Sequence, residues 1–596
     1  MAPIISGTRK NEATGESKLF QTKLNKDEQI LHALDRLTFG PRPGDLQRVR
    51  KIGLKKWIEL QLHPERVPEN SDLEPKLGPL ESLRLTPAET VQHYPTPQLI
   101  RAVAAGRQPM PEDPVLRTAV ERMVARIKTK RGDAFDPNVD PDPAKPLDQV
   151  LEKPELQLLR NGTPAEKREL LESLAPDKLD EVLIALPRNV RQQLVGAAPT
   201  NIRRKILLLN SPQQVIAYDL VESKLVRAVY SNRQLAEELD DFWFNHFNVF
   251  YEKGADRFLV PSYERDAIRP FVLGRFRDLL EATAKSPAML FYLDNFQSVR
   301  PDIDANAKGR RNKRGLNENY ARELMELHTL GVNGGYTQKD VIEVARCFTG
   351  WTIREPQRGG DFFYNDKLHD KGEKVVLGHV IPAGGGIEDG EQVLDILAHH
   401  PSTARFISRE LAQRFVTDDP PQSLIDKMAK TFLEKDGDIR EVTKTMLNSK
   451  EFWSKGAYQA KVKTPFEMVV SSVRALDGKV EDAFALSNQI AQLGEPLYRK
   501  QEPTGYSNLN SDWVNSAALV GRMNFALALA QNRLAGVKVD AARFSGGPQQ
   551  VAKMLLCRNA TPHTEAALEK ALQQKKDKTP ALVAGLVIGS PDFQRR

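Results

Sequence analysis

The chain has 596 residues, 40% of them hydrophobic and 28% charged, an ordinary globular balance over a length that suits three or four domain-sized units. Its longest apolar runs, Ile206–Leu209 and Ala581–Ile588, fall short of the roughly 18–20 residues a membrane helix needs, so a soluble protein without a membrane span is expected. A net charge of +7 over 86 basic and 79 acidic residues is too thin an excess to point to nucleic acid, and the one dense basic run, 308–314, lacks the interleaved aromatics of a single-strand binder.

In chain order, the polar segment 1–26 reads as a disordered arm without the apolar core of a signal peptide. Taken as written it implies the cytoplasm; a start site further upstream would allow export. Ile30, Leu31, Leu34 and Leu37 then give helical spacing up to Phe39-Gly-Pro41, and a second short helix is expected over 46–62. These N-terminal helices fill 27–105. A charged, Pro-rich linker follows over 106–153, with a helix at 115–128 inside it and 136–143 as its proline-dense heart. Over 154–212, Pro164, Pro176, Pro187 and Pro199 recur every 11 or 12 residues, each opening a stretch with one apolar face. Proline suits a first helical turn, so the segment reads as an inserted arm of short stacked helices. Helical periodicity dominates 213–596. The exception is 361–382, where Phe362/Tyr364 and Val375/Leu377 alternate about Asp370-Lys-Gly-Glu and suggest one β-hairpin. The expected class is mainly α: a multi-helical body, a small hairpin insertion and a repeat arm. The two cysteines, Cys347 and Cys557, have no metal-binding spacing and read as buried free thiols.

Several motifs carry a family resemblance. They include Leu34-Asp-Arg-Leu-Thr-Phe-Gly-Pro41, Phe242-Trp-Phe-Asn-His-Phe247 and Ser286-Pro-Ala-Met-Leu-Phe-Tyr-Leu-Asp-Asn295. The most specific is Asn317-Glu-Asn-Tyr-Ala-Arg-Glu-Leu-Met-Glu-Leu-His-Thr-Leu-Gly331, which continues through Gly334-Gly-Tyr-Thr-Gln338 to Phe348-Thr-Gly-Trp351. His400-Pro-Ser-Thr-Ala-Arg-Phe406, Lys461-Val-Lys-Thr-Pro465 and Gly589-Ser-Pro-Asp-Phe593 follow in order. From about residue 27 to its end the chain resembles the DUF1800 family, a bacterial family of uncharacterised activity. The resemblance implies no substrate or cofactor. It implies that members are often exported and often encoded beside a sulfatase-like companion, hence a protein partner. It also implies a histidine two residues before His246; this chain has Phe244 there, which puts any metal site built on that pair in doubt.

The candidate chemistry gathers on the helix expected over 317–330. Leu316, Tyr320, Leu324 and Leu327 share one arc, Asn319, Arg322, Glu323 and Glu326 a second, and Ala321, Met325 and His328 a third. A charged stripe on a helix buried on its other sides must pair or face a cleft. Glu323 and Glu326 are therefore candidate acid/base groups or metal ligands with Arg322 orienting a substrate, or else members of a buried ion-pair network. His246 shares a stripe with Leu235, Leu239 and Phe242, and reads as a core histidine or a binding group; Asn245 lies on the polar stripe of that helix. Thr337 and Asp340 form a capping box that starts a packing helix, and Trp351 beyond it packs in the core or lines a pocket. His369-Asp370 in the hairpin is the most exposed candidate, a base or ligand pair. No G-x-S-x-G elbow, Walker motif or dinucleotide fingerprint is present. The leading expectation is a helical scaffold or binding protein working with a partner. The alternative is a hydrolase-like or metal-dependent enzyme whose cleft is built on the 317–330 helix.

Overall fold

The computed structural model describes residues 18–112, 114–131, 145–301, 315–574 and 578–596. Helices carry the architecture, and the only sheets among the described residues are three two-stranded ones. The mainly α class therefore stands. No described helix is long and apolar enough to cross a membrane.

Helix α1 (Lys26–Leu37) starts where Asn25 and Glu28 cap one another: the Glu28 N–H donates to the Asn25 side chain (3.0 Å) and the Asn25 N–H to the Glu28 carboxylate (3.1 Å). Its apolar side, with Ala33, Leu34 and Leu37, is buried. Residues 1–17 of the expected arm lie outside the described residues. Residues 18–26 are not an arm: Leu24 is buried and donates its N–H to the Trp453 carbonyl, and the Lys455 N–H reaches back to Thr22. The helix expected over 46–62 is two helices, Asp45–Ile52 and Leu54–Leu62, because Gly53 adopts φ +90, a conformation L side chains rarely take. The proline-rich linker holds an 18-residue helix, Pro114–Arg131, whose Val120 and Val124 pack on Ile100. Its heart at 136–143 and the basic run 308–314 lie outside the described residues.

The four proline-led segments are α2 (Pro164–Ser173), α3 (Pro176–Ala185), α4 (Arg188–Leu194) and α5 (Thr200–Asn210). Pro164 and Pro176 occupy the first turn, while Pro187 and Pro199 sit one position earlier, at the N-cap. Leu171, Leu183 and Ile206 join the same hydrophobic core as the rest of the chain. Arg203 of α5 forks onto Asp482 (2.8 and 2.6 Å) across 279 residues of sequence, so these helices are sewn into the body instead of projecting from it.

Two long helices, α6 (Gln213–Tyr230) and α7 (Gln234–His246), run through the core. The helix expected over 317–330 is shorter: α8 spans Asn319–Glu326. There the His328 N–H goes to the Glu323 carbonyl, the Thr329 hydroxyl donates to the Leu324 carbonyl (2.7 Å), and Gly331 turns at φ +79, which together end the helical ladder. Helix α9 (Gln338–Cys347) opens with the Thr337/Asp340 capping box read from the sequence.

The expected single hairpin resolves into two. Strand β1 (Trp351–Ile353) pairs with β2 (Phe362–Tyr364), and β3 (Lys374–Val376) with β4 (His379–Ile381) through a turn in which Leu377 and Gly378 both have positive φ. Asp370–Glu373 joins the hairpins and is not itself a hairpin turn. The elements that close the candidate site are α10 (Ile387–Ala398), α11 (Pro401–Phe415), α12 (Pro465–Ala475), α13 (Phe484–Gln492) and α14 (Ser516–Ala530). Between α13 and α14 the chain runs as a long irregular segment over 493–515.

Candidate functional site

Helix α7 carries Glu237, Glu238, Asp240 and Asp241 in five positions, and burial would make each costly unless paired. The fold supplies the cations from distant sequence. Arg414 of α11 meets Glu238 (2.8 Å), Asp241 (3.1 Å) and Glu467 of α12 (3.0 Å), and Arg596 meets Glu467 (2.5 Å) and Glu238 (3.4 Å). Lys224 of α6 meets Asp241 at 2.8 Å beneath the rings of Phe244, Phe466 and Tyr498. Arg269 joins Glu237 (2.8 Å) to Asp240 (2.6 Å). Burial works against the Asp241 carboxylate, yet Lys224 and Arg414 outweigh it and hold its pKa below the usual range. The acids of this helix are thus paired with cations from other elements.

One turn further on, α7 meets the irregular segment. The Asn245 side chain donates to the Tyr506 carbonyl (2.8 Å) and accepts the Tyr506 N–H (2.6 Å). Asn248 donates to the carbonyls of Lys500 (3.0 Å) and Glu502 (2.9 Å). Gly505 is required beside them: it has φ +67, and a Cβ there would lie 2.2 Å from the Asn245 carbonyl oxygen.

Beneath this stapled segment is a cavity of about 260 Å³, walled by α7 (Phe242, Asn245, His246), Leu327 beyond α8, α11 (Phe406, Glu410, Gln413) and Thr504 to Leu509. His246 is half-buried, and its Nε2 lies 3.1 Å from the His328 carbonyl. A carbonyl only accepts, so Nε2 carries the proton and Nδ1 is an unprotonated acceptor with no partner among the described residues. Burial lowers the imidazole pKa to about 4, so it is neutral at physiological pH. Glu410 is the opposite case. Its carboxyl makes no hydrogen bond or ion pair among the described residues, and burial, opposed only in part by Arg409, raises its pKa to about 7. A carboxyl poised near neutrality, an open imidazole acceptor and an apolar wall of Phe242, Leu327 and Phe406 face one space. That set can exchange a proton with a small polar molecule.

Of the residues singled out from the sequence, only Asn245 and His246 line this cavity. Glu323 is half-buried, with its carboxyl pKa raised by burial and by Glu326. Glu326 accepts the Tyr336 hydroxyl (2.8 Å), and Arg322 reaches Gln338 (2.8 Å) and Glu318 (3.5 Å) on the surface side. Exposed Asn319 starts α8, its side chain 3.4 Å from the Leu293 carbonyl. His369 and Asp370 are not the exposed pair expected of them: both are buried. His369 is held between the Thr349 carbonyl (2.8 Å) and Asp389 of α10 (3.1 Å). Asp370 takes the Arg346 fork (2.9 and 3.1 Å), and buried Lys374 pairs with Asp389 (2.6 Å). That cluster clips the second hairpin between α9 and α10. Trp351 is fully buried against Phe348, Phe362 and Gly390, whose missing side chain leaves room for the indole. Cys347 is buried, whereas Cys557 is half-buried at a left-handed helix end. The helix stripe, the hairpin pair and the cavity are three separate places.

A family model described as a protein of unknown function, DUF1800, matches residues 32–595, nearly the whole chain. The chain belongs to the DUF1800 family. No curated protein and no solved structure matches it. In this DUF1800 protein Phe244, standing where the resemblance implies a histidine, packs against Tyr498 (4.9 Å between ring centres) and Tyr263 (5.9 Å). Among the described residues no group of three or more His, Cys, Asp or Glu side chains is placed to hold a metal ion. The site residue that sequence reading missed in this DUF1800 chain is Glu410. Its signal was the four-residue spacing of Phe406, Glu410 and Arg414, which sets a carboxylate on the stripe bordering Ile407 and Leu411. The walls from Thr504 to Leu509 carried no periodic signal at all.

Proposed function

We propose that this DUF1800 protein is hydrolase-like, acting on a small polar substrate in the His246–Glu410 cavity. The observation that carries the reading is Glu410, a cavity-lining carboxyl without an internal partner whose pKa sits at about 7. Near neutral pH such a group gives a proton to a leaving oxygen or nitrogen and recovers it from water in the next step. Nδ1 of His246 orients the attacking water by accepting one of its hydrogens. With a pKa near 4 the imidazole is a positioning acceptor, and a weaker base than Glu410. The cleft adjoins the end of α8 at Leu327; it is not built on the Glu323/Glu326 stripe.

The test is turnover of p-nitrophenyl ester, glycoside and phosphate panels by the full chain from about pH 5 to 9, beside Glu410→Gln and His246→Gln. The expected result is activity on one panel that falls about 10²–10⁴-fold in Glu410→Gln and declines as pH rises through the Glu410 pKa. Equal turnover by wild type and Glu410→Gln, or none on any panel, sinks the reading.

A second reading, a helical scaffold that holds a protein partner, draws on a different observation. Val514, Leu519 and Val520 at the start of α14 are exposed large apolar side chains, close in sequence to exposed Leu509. Under this reading Leu519→Glu/Val520→Asp loses a partner that wild type captures; retention of that partner by the variant rules this surface out.

A further inference from the structure

A second cavity, of about 390 Å³, opens between α4, α6, the segment at 251–257, α13 and residues 496–499. Its volume lies in the range of small-molecule sites. Its lining includes two aromatic rings: Tyr218 on α6 and Phe484 on α13 stand 5.2 Å apart at an interplanar angle of 38°, and the Arg203 guanidinium covers one face of Phe484 at 4.3 Å. Around them the wall carries three primary amides, Gln192, Gln214 and Asn488, none of which makes a side-chain hydrogen bond among the described residues. The Tyr218 hydroxyl is likewise without a described partner. One lining cation is unpaired among the described residues. Arg257 has no hydrogen bond or ion pair among the described residues, whereas Arg499 on the same rim is already taken by Glu252 (3.0 Å).

Each part selects chemistry. Aromatic faces receive the C–H face of a saturated ring, and amides offer a donor and an acceptor together, matching adjacent hydroxyls. An unpaired guanidinium matches a carboxylate fork to fork. We infer that this cavity binds a carboxylated sugar, a uronic acid or a short saccharide carrying one, with the ring on Tyr218 and Phe484 and the carboxylate on Arg257. This site shares no lining residue with the His246–Glu410 cavity, so it stands or falls independently of the proposed reaction.

The probes are sodium glucuronate and glucose, titrated into the full chain by ligand-observed NMR up to about 10 mM. Arg257→Gln and Gln214→Trp serve as variants, both at exposed positions outside the packed core. Glucuronate is expected to bind about tenfold more tightly than glucose, Arg257→Gln to remove that preference, and Gln214→Trp to block both. Sodium acetate at the same concentration separates a sugar site from a bare carboxylate site. Equal binding of the two sugars, binding of acetate as strong as that of glucuronate, no binding of glucuronate, or glucuronate binding unchanged in both variants each overturns the assignment.

Discussion

At the scale of single residues, the decisive contrast is between Glu410 and the acids of α7, which the fold pairs with Lys224, Arg269, Arg414 and Arg596. Glu410 has its pKa raised from 4.5 to about 7. The folded state therefore keeps a proton that the unfolded chain releases in that window, and stability falls as pH rises from about 4.5 to 7. Glu410→Gln removes the charge without changing the shape. Urea unfolding is expected to find this variant more stable than wild type at pH 8, by about 1–3 kcal/mol, and little changed at pH 4. A variant that is less stable than wild type at pH 8 would mean that the carboxylate has a partner. Gly505→Ala acts through geometry. It places a methyl group against the Asn245 carbonyl at a backbone conformation alanine resists, so the staple to Tyr506 opens. Faster proteolytic cleavage between residues 500 and 510 is the expected readout.

At the scale of elements, the hairpins show how a histidine expected to be exposed becomes a packed one. His369 and Lys374 share Asp389 in a fully buried cluster, and Arg346 of α9 holds Asp370 and Glu343 at its edge. Asp389→Ala leaves the Lys374 ammonium buried without its counter-charge, which costs about 3–5 kcal/mol. Thermal unfolding is expected to record that loss, and hydrogen exchange to show the β3–β4 pair opening first. His369→Gln, which keeps a hydrogen-bonding side chain, is expected to leave the proposed hydrolysis within about twofold of wild type, since His369 does not line the cavity.

At the scale of the whole molecule, the stapling charges lie far apart in the chain. Glu238, Arg414, Glu467 and Arg596 come from four regions and meet in one buried network, while one hydrophobic core runs from Ile30 to Phe593. Arg414→Met removes the cation that joins Glu238, Asp241 and Glu467, leaving the three carboxylates to share Arg596 and Lys224. The expected cost is about 3–5 kcal/mol or more, read as a lower thermal midpoint or as loss of soluble protein. The double variant Arg414→Met/Glu238→Gln is expected to recover part of that loss. A null effect of the single variant would show the network to be less desolvated than its burial indicates.

Local physical chemistry determined a good deal of this protein from its sequence. Helical periodicity, the Thr337/Asp340 box and the proline-led starts of α2 to α5 depend on neighbours within a turn or two, and so the chain could be read there directly. The DUF1800 motifs were legible for the same reason, as short strings in fixed order. What the sequence misplaced depended on the partner across the fold. Phe362 and Tyr364 pair backward with Trp351–Ile353, not forward with Val375; Gly53 breaks a helix whose apolar pattern runs on. The acids of α7 find their partners only where Lys224, Arg414 and Arg596 arrive from other elements. The candidate site divides in the same way. Asn245 and His246 stood out on their own helix, but their open cavity needed Glu410 from α11 and the aperiodic segment at 504–509. Whether a half-buried carboxyl is paired or left poised is a property of three-dimensional neighbours, and only the tertiary structure decided it.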